Sequence, residues 1–307
     1  MRCKICGCED AAVTYEGKIR DGRVGNYTSE KMKLFRCGRC GTIWHDNSGR
    51  DSREYYQSEA YRNELEGTSD VDAFYRLHDG ESLEKFRYTG TEIFRGKTVA
   101  DIGCGAGAFL DYIQAVAARV IAIEPSETYR ESMRKRGYTV FGYAQEALEE
   151  YRGKVDVIVS FDVIEHVEDP QTFLEEAYAL LSNGGKAFIG TPTDAPVMRE
   201  VLGGAYESFL FSTQHPWVLS EGSFAAMAER CGITGFGVRY YQRYGLGNFV
   251  YWLLNRQPGR HKGYDFITKT MDRAWISELE QQKKSDYIVC EIVKDVCAYE
   301  GSGEKDR

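Results

Sequence analysis

The sequence predicts an α/β fold: a doubly wound, mostly parallel seven-stranded sheet carrying a small four-cysteine module at its N-terminus. Three observations predict it. From residue 97 onward, short apolar runs alternate with segments of helical periodicity, the pattern of strands joined by single crossover helices. The run Val99-Ala100-Asp101-Ile102-Gly103-Cys104-Gly105-Ala106-Gly107 ends an apolar strand in a turn with glycine at every second position. Such a turn lets a ligand approach the backbone closely. Before residue 50, two Cys-x-x-Cys pairs stand in a stretch with few large aliphatic residues.

The 307 residues suffice for one large domain or a domain with a small appendage, and the 42% hydrophobic content is ordinary for a chain that buries a core. A net charge of −8 argues against generic nucleic-acid binding, which needs a basic surface. No apolar stretch approaches the ~20 residues of a membrane span. The opening Met-Arg-Cys-Lys-Ile-Cys has no apolar signal core, so a cytoplasmic location is expected.

Residues 1–50 are read as a zinc ribbon. Cys3 and Cys6 form one pair, Cys37 and Cys40 the other, and glycine follows each, at Gly7 and Gly41. A short turn points two thiolates at one ion, and two such turns complete a tetrahedral site. With all four positions filled by protein the metal is structural. Nine cysteines in a reducing compartment are read as thiols or ligands rather than disulfides, and Cys8 as a spare that points away. Ten Lys/Arg against six Asp/Glu make the segment mildly basic once four thiolates are counted against one Zn²⁺. That favours a scaffold or substrate-flanking role over a grip on RNA.

Residues 51–90 are polar and aromatic, and read as two short helices with Ser69 or Asp70 capping the second, placed to cover a cofactor. Arg76, His78 and Arg87 are candidates there for contact with an anionic group. The core, 91–307, carries strands at 98–102, 119–123, 138–141, 155–160, 186–190, 233–241 and 287–293. Helices are expected from Gly107 to about 118, up to Arg136 with Gly137 as the stop, over 170–181 ended by Asn183-Gly184-Gly185, and over 221–230. An aromatic-rich insertion at about 243–283 separates the last two strands, which are expected to form an antiparallel edge pair.

Ligands of such a sheet bind at the carboxyl ends of the strands. The glycine turn lies there, with Glu124 after the second strand and Asp162 after the fourth. Glu124 follows Gly107 by 17 residues and can accept hydrogen bonds from both hydroxyls of a ribose. The alternating glycines differ from the G-x-G-x-x-G of dinucleotide sites and suit a compact uncharged or zwitterionic group.

Residues 99–107 resemble the first motif of class I S-adenosylmethionine-dependent methyltransferases, Ile-Glu-Pro-Ser (123–126) their second, Val-Ser-Phe-Asp-Val-Ile-Glu-His-Val-Glu-Asp-Pro (159–170) their fourth, and 181–192 the approach to their fifth strand. The resemblance implies a Rossmann-like methyltransferase fold with S-adenosylmethionine as cofactor. Asp101, Gly103, Gly105 and Gly107 would surround the methionine moiety and Glu124 the ribose. Gln145 would pair with the adenine amine, and Phe161 and Asp162 would close the site near the sulfonium. Residues 242–259 resemble the tail of bacterial methyltransferases of surface-polysaccharide pathways.

A hydroxyl acceptor needs a base, because its own pKa is far above 7. His215, after strand five, is the favoured base, and His166, after strand four, the second candidate. The ribbon is shared with sugar C-methyltransferases, which also carry a further C-terminal domain and a His-Glu-His-type cluster. In this sequence His215 stands without one, which favours a hydroxyl over a carbon acid. The expected acceptor is a small molecule, a sugar or sugar nucleotide of a surface-glycan or secondary-metabolite pathway. The insertion's aromatics would stack on sugar faces, and Arg243, Arg256, Arg260, His261 and Lys262 would meet a diphosphate. A packed cover or a homodimer contact is the competing reading for that insertion. A sugar C-methyltransferase, an RNA methyltransferase gripping RNA with its ribbon, and a non-catalytic S-adenosylmethionine-binding subunit are the alternatives.

Overall fold

The computed structural model describes residues 1–45, 52–58, 60–67, 69–259 and 262–295. The N-terminal module is an antiparallel set of β1 (Ala11–Gly17), β2 (Met32–Cys37) and β3 (Ile43–His45). Helices α1 (Ser52–Gln57), α2 (Ala60–Glu66) and α3 (Val71–Thr89) follow. These replace the two short helices expected, and α3 runs for 19 residues. Asp70 is its N-cap, accepting from the Ala73 N–H at 2.9 Å. Gly80 sits in the interior without ending the helix, because Phe74, His78, Glu81, Lys85 and Tyr88 form one continuous stripe at i, i+4, i+7 spacing.

The core then runs β4 (Thr98–Ile102), α4 (Ala108–Ile113), β5 (Arg119–Ile123), α5 (Glu127–Lys135), β6 (Thr139–Phe141), α6 (Ala144–Tyr151), β7 (Val155–Phe161), α7 (Pro170–Leu180) and β8 (Leu181–Pro192). Helix α4 stops short of the expected 118, where the Val116 and Ala117 amides both turn back to the Ile113 carbonyl. Asn183-Gly184-Gly185 lies not at a helix end but in a bulge of β8, between the Val155–Leu181 and Val157–Lys186 pairs. Next come α8 (Pro196–Leu202), α9 (Gly204–Leu210), β9 (Trp217–Val218), α10 (Glu221–Cys231) and β10 (Phe236–Tyr241). The inserted α11 (Leu246–Asn255) and α12 (Lys269–Gln281) lead to β11 (Tyr287–Val293). Gly232, at φ 68°, caps α10, and β10 begins later than expected because residues 232–235 form that cap and a turn.

The sheet order is β10-β11-β8-β7-β4-β5-β6. The last two strands form the expected antiparallel pair at one edge: β10 is the edge strand, and β11 lies between it and β8, antiparallel to both. The long insertion permits this, since a chain leaving β10 needs length to turn and re-enter beside β8. Each sheet face is packed, one with Phe109, Tyr129 and Phe188, the other with Ile158, Leu174 and Phe224. Fully burying such side chains contributes roughly 1.5–3 kcal/mol each.

The N-terminal module is joined to the core in two ways. Cys3, Ile5, Cys37, Cys40 and Trp44 belong to the same buried cluster as Ile158 and Phe224. Strand β9 pairs with β3, Trp217 opposite Trp44, so a four-stranded sheet β1-β2-β3-β9 is shared between them. No helix among the described residues is long and apolar enough to cross a membrane.

Candidate functional site

The β4–α4 turn holds Gly103, Gly105 and Gly107 at φ of 77°, 58° and 90°, where side-chain-bearing residues are strained. The Gly103 N–H donates to the Ile123 carbonyl at 2.7 Å, tying the turn to the end of β5. A Cβ on Gly105 would lie 2.3 Å from Phe74 Cζ, and one on Gly103 would lie 2.2 Å from Val163 Cγ2. Helix α3 and the loop after β7 thus press on bare backbone from two sides.

Glu124, at the end of β5, is 6% exposed. Its Oε2 accepts from the Gly105 N–H at 2.9 Å and its Oε1 from the Ser126 N–H at 3.0 Å. Burial pushes its pKa up, while Arg62 and these amides pull it down. A carboxylate offers about four lone-pair sites, so two remain for hydroxyl donors. Glu124 also clamps the turn, a duty its place in the sequence did not reveal.

Asp101 is fully buried, and neither carboxylate oxygen has a hydrogen-bond partner. The nearest cation is Lys85 Nζ at 4.0 Å, and burial raises the carboxyl's pKa against its pull. A buried carboxylate with an ion-pair partner but no hydrogen bond is still costly, and a second ammonium group within bonding distance would relieve it. The bare glycine cradle, the acid at the end of β5 and this acid without a hydrogen bond therefore fit an amino-acid-bearing nucleoside.

Phe161 is buried, its ring 5.4 Å from that of Tyr88. Asp162 is exposed at φ 58°, with a carboxylate oxygen 3.5 Å from Arg243 Nη1. Gln145 is exposed at the start of α6, after β6. Of the α3 candidates, His78 pairs with Glu81 at 2.8 Å, Arg76 lies 3.9 Å from Asp70, and Arg87 turns to Glu280 on α12. The residues of α3 that face the site are instead Phe74 over Gly105, Lys85 near Asp101 and Tyr88 beside Phe161. Their helical spacing was the available signal.

His166 and His215 meet, although 49 positions apart. Helices α8 and α9 fold back, and the Trp217 indole N–H donates to the Val167 carbonyl at 2.9 Å. The two rings are 4.5 Å apart, edge to face at 88°. Ligating atoms of Glu165, His166 and His215 all lie within 4.8 Å of one another. The expectation that His215 stands without a His-Glu-His-type cluster is therefore overturned. The fold gathers one from two loops.

Glu165 is buried, its Oε2 accepting from Thr191 Oγ1 at 3.0 Å and its Oε1 without a partner. Burial and nearby Asp162 push its pKa up to about 8. Burial lowers His166 to about 3, and burial, His166 and Arg20 hold His215 well below its ordinary value. These shifts favour the neutral form of both imidazoles, in which one ring nitrogen carries a lone pair. His166 is tied to the glycine turn's neighbour: its N–H donates to the carbonyl of Val163, the residue against Gly103.

In the N-terminal module, Cys3 Sγ and Cys40 Sγ are 3.7 Å apart, and Cys6 Sγ and Cys37 Sγ 3.5 Å. All four sulfurs lie within 4.8 Å of one another. A tetrahedral zinc with Zn–S of about 2.3 Å sets sulfurs about 3.8 Å apart, so the donor set and its spacing fit that ion. Gly7 and Gly41 take φ of 72° and 73° behind the two pairs. Cys8 stays outside the cluster, its sulfur 3.4 Å from the Asp10 N–H.

The insertion and its neighbours enclose a cavity of about 460 Å³ lined by Tyr206, Phe249, Trp252, Trp275 and Lys262. Of the residues expected to meet a diphosphate, Lys262 lines this cavity. Arg243 instead pairs with Asp286 and Asp162, and Arg256 is exposed at the end of α11. Arg260 and His261 lie outside the described residues.

The chain is 37% identical over 106 residues to a ubiquinone biosynthesis O-methyltransferase of Caulobacter vibrioides, covering 32% of this chain and 42% of the relative. To that of Pseudomonas paraeruginosa it is 31% identical over 143 residues, covering 43% and 61%. The chain thus spans about half the length of the curated relatives it matches. Neither relative bears a carbohydrate name, so the sugar acceptor rests on this chain's own residues. An S-adenosylmethionine-dependent methyltransferase from Archaeoglobus fulgidus superposes with a TM-score of 0.49 at 14% identity, covering 76% of this chain and 98% of that one. A profile of the methyltransferase-domain family matches residues 75–235, just over half of the sequence. The chain belongs to the methyltransferase-domain family.

Proposed function

We propose that this protein transfers a methyl group from S-adenosylmethionine to a hydroxyl of a small-molecule acceptor, with His215 as the base and His166 beside it, and with a structural zinc in the N-terminal module. The observation that carries the reading is the pair of imidazoles set edge to face after strand β7, with His166 bonded to Val163, the residue that packs on Gly103. Methyl transfer is an in-line displacement in which the cofactor supplies the reactivity. The protein's share is to hold the nucleoside on Glu124 and Asp101 and to remove the acceptor's proton. The O-methyltransferase names of the relatives support a hydroxyl acceptor. The aromatic cavity with Lys262 at its wall supports a sugar or sugar nucleotide, whose flat faces and phosphates such groups meet.

Incubating zinc-loaded protein with S-[methyl-13C]adenosylmethionine and a panel of hydroxylated acceptors, sugar nucleotides included, tests the reading. An O–13CH3 resonance in a product supports it. The Glu165/His166/His215 cluster favours a second reading, methylation at a carbon acid, and a C–13CH3 resonance would establish that one instead.

His215→Ala is expected to lower turnover roughly 100-fold with unchanged S-adenosylhomocysteine affinity. An unchanged rate would pass the base role to His166 or to water. Protonation removes the lone pair, so activity falls with falling pH. Because burial lowers both imidazoles, the acid limb of kcat/KM should lie well below 6.5. Gly105→Ala places a methyl group against Phe74 and forces alanine into the left-handed region, at about 1–2 kcal/mol for the backbone alone. A drop of several degrees in Tm and at least roughly tenfold weaker cofactor binding are expected. Melting and calorimetric values equal to wild type would show that neither the left-handed backbone nor the contact with Phe74 resists a Cβ at this position.

A further inference from the structure

Resting on His215 as the base, we infer that the N-terminal module is the positioning element of that base: Arg20, Asp21 and His45 fix the 212–217 segment so that the His215 ring stands edge-on to His166. Ser212 is fully buried, and its carbonyl accepts from His45 Nε2 at 3.1 Å. The Arg20 N–H reaches the Phe211 carbonyl, and the Thr213 N–H donates to the Arg20 carbonyl, both at 3.0 Å. Thr213 Oγ1 donates to Asp21 Oδ1 at 2.6 Å. On the far side of His215, Trp217 and Val218 pair with Trp44 and Ile43. The chain is thus fastened to the module two residues before His215 and two residues after it.

Between those fastenings the segment makes a tight turn. The His215 N–H donates to the Ser212 carbonyl at 3.1 Å and the Gln214 N–H to Ser212 Oγ at 3.2 Å. Gln214 Nε2 donates to Tyr55 Oη at 2.7 Å, and Tyr56 Oη lies 2.9 Å from His166 Nδ1. The bonds at Ser212 and Thr213 satisfy buried polar groups and, in doing so, hold the chain immediately before His215 in one place. A base misplaced by 1 Å can cost roughly 100-fold in rate, which gives those bonds a function. Arg20, Asp21 and His45 are positioning residues, acting on the reaction through His215.

The test uses the zinc-loaded full chain with 13C-labelled histidine. In wild type, nuclear Overhauser effects connect the His166 and His215 ring protons. His45→Leu removes the donor to Ser212, while His45→Gln places an amide nitrogen where Nε2 stands. Thr213→Val removes the bond to Asp21 from the other side and covers the case in which His45→Leu fails to fold. The ring–ring Overhauser effects are expected to vanish in His45→Leu and Thr213→Val and to return in His45→Gln. S-adenosylhomocysteine affinity should stay within about twofold of wild type throughout. With the acceptor found in the screen above, kcat falls roughly tenfold in the first two variants with KM little changed. Overhauser effects that persist in both variants would overturn the proposal. Their disappearance with kcat unchanged would uphold the positioning and show that His215 is not the base.

Discussion

Glu124→Ala is expected to weaken S-adenosylhomocysteine binding at least roughly 100-fold, because it removes the acceptor of two ribose hydroxyls at once. Hydrogen bonds to a charged group contribute about 1.5–3 kcal/mol each, and two at the lower end already amount to ~3 kcal/mol, or ~100-fold. The same substitution strips the acceptor from the Gly105 and Ser126 amides. Each buried donor left without a partner costs about 1–3 kcal/mol, so the variant should also melt earlier. Glu124→Gln separates the two duties: its amide oxygen can keep one backbone amide, but it lacks the charge and the second acceptor. It should hold most of the stability and still bind the cofactor weakly. Calorimetric affinity of Glu124→Ala equal to wild type would remove Glu124 from the cofactor site, whatever its role in the turn.

The places of the alternating glycines, Glu124 and Asp162 were legible because strand ends follow from apolar runs and breakers along the chain. The two Cys-x-x-Cys pairs were legible because each is local and its partner is of the same kind. What the sequence hid were relations made by the return path of the chain. His166 and His215 stand in separate loops, and nothing between them announces that α8 and α9 fold back to set the rings 4.5 Å apart. The pairing of β9 with β3 was equally hidden, since two residues are too short a run to show any period. The place of β11 inside the sheet depends on which edge of β8 is open, a property of the assembled sheet. Helix α3 was misjudged for a different reason. Its stripe mixes Phe74, His78, Glu81, Lys85 and Tyr88, so the face toward the site is partly polar and blurs the apolar period.

Cys37→Ser is expected to abolish stoichiometric zinc binding and to lower Tm by roughly 10 °C or more. A four-thiolate site that loses one ligand loses both the charge balance and the closed tetrahedron. Metal binding of this kind contributes about 10–16 kcal/mol to folding in isolated zinc peptides, so even a fraction of that is large beside the ~2–4 °C per kcal/mol of a sizeable domain. The damage should not stay within the first fifty residues. Cys37 is 1% exposed and belongs to the cluster that also contains Trp44, Trp217 and Phe224. Limited proteolysis should therefore open both the N-terminal module and the segment after α9, through the shared β3–β9 pair. Cys8→Ser is the control, because its sulfur lies outside the cluster and should leave metal content and Tm unchanged. Full zinc content in Cys37→Ser, with a wild-type proteolysis pattern, would mean that the zinc is not held by these four sulfurs.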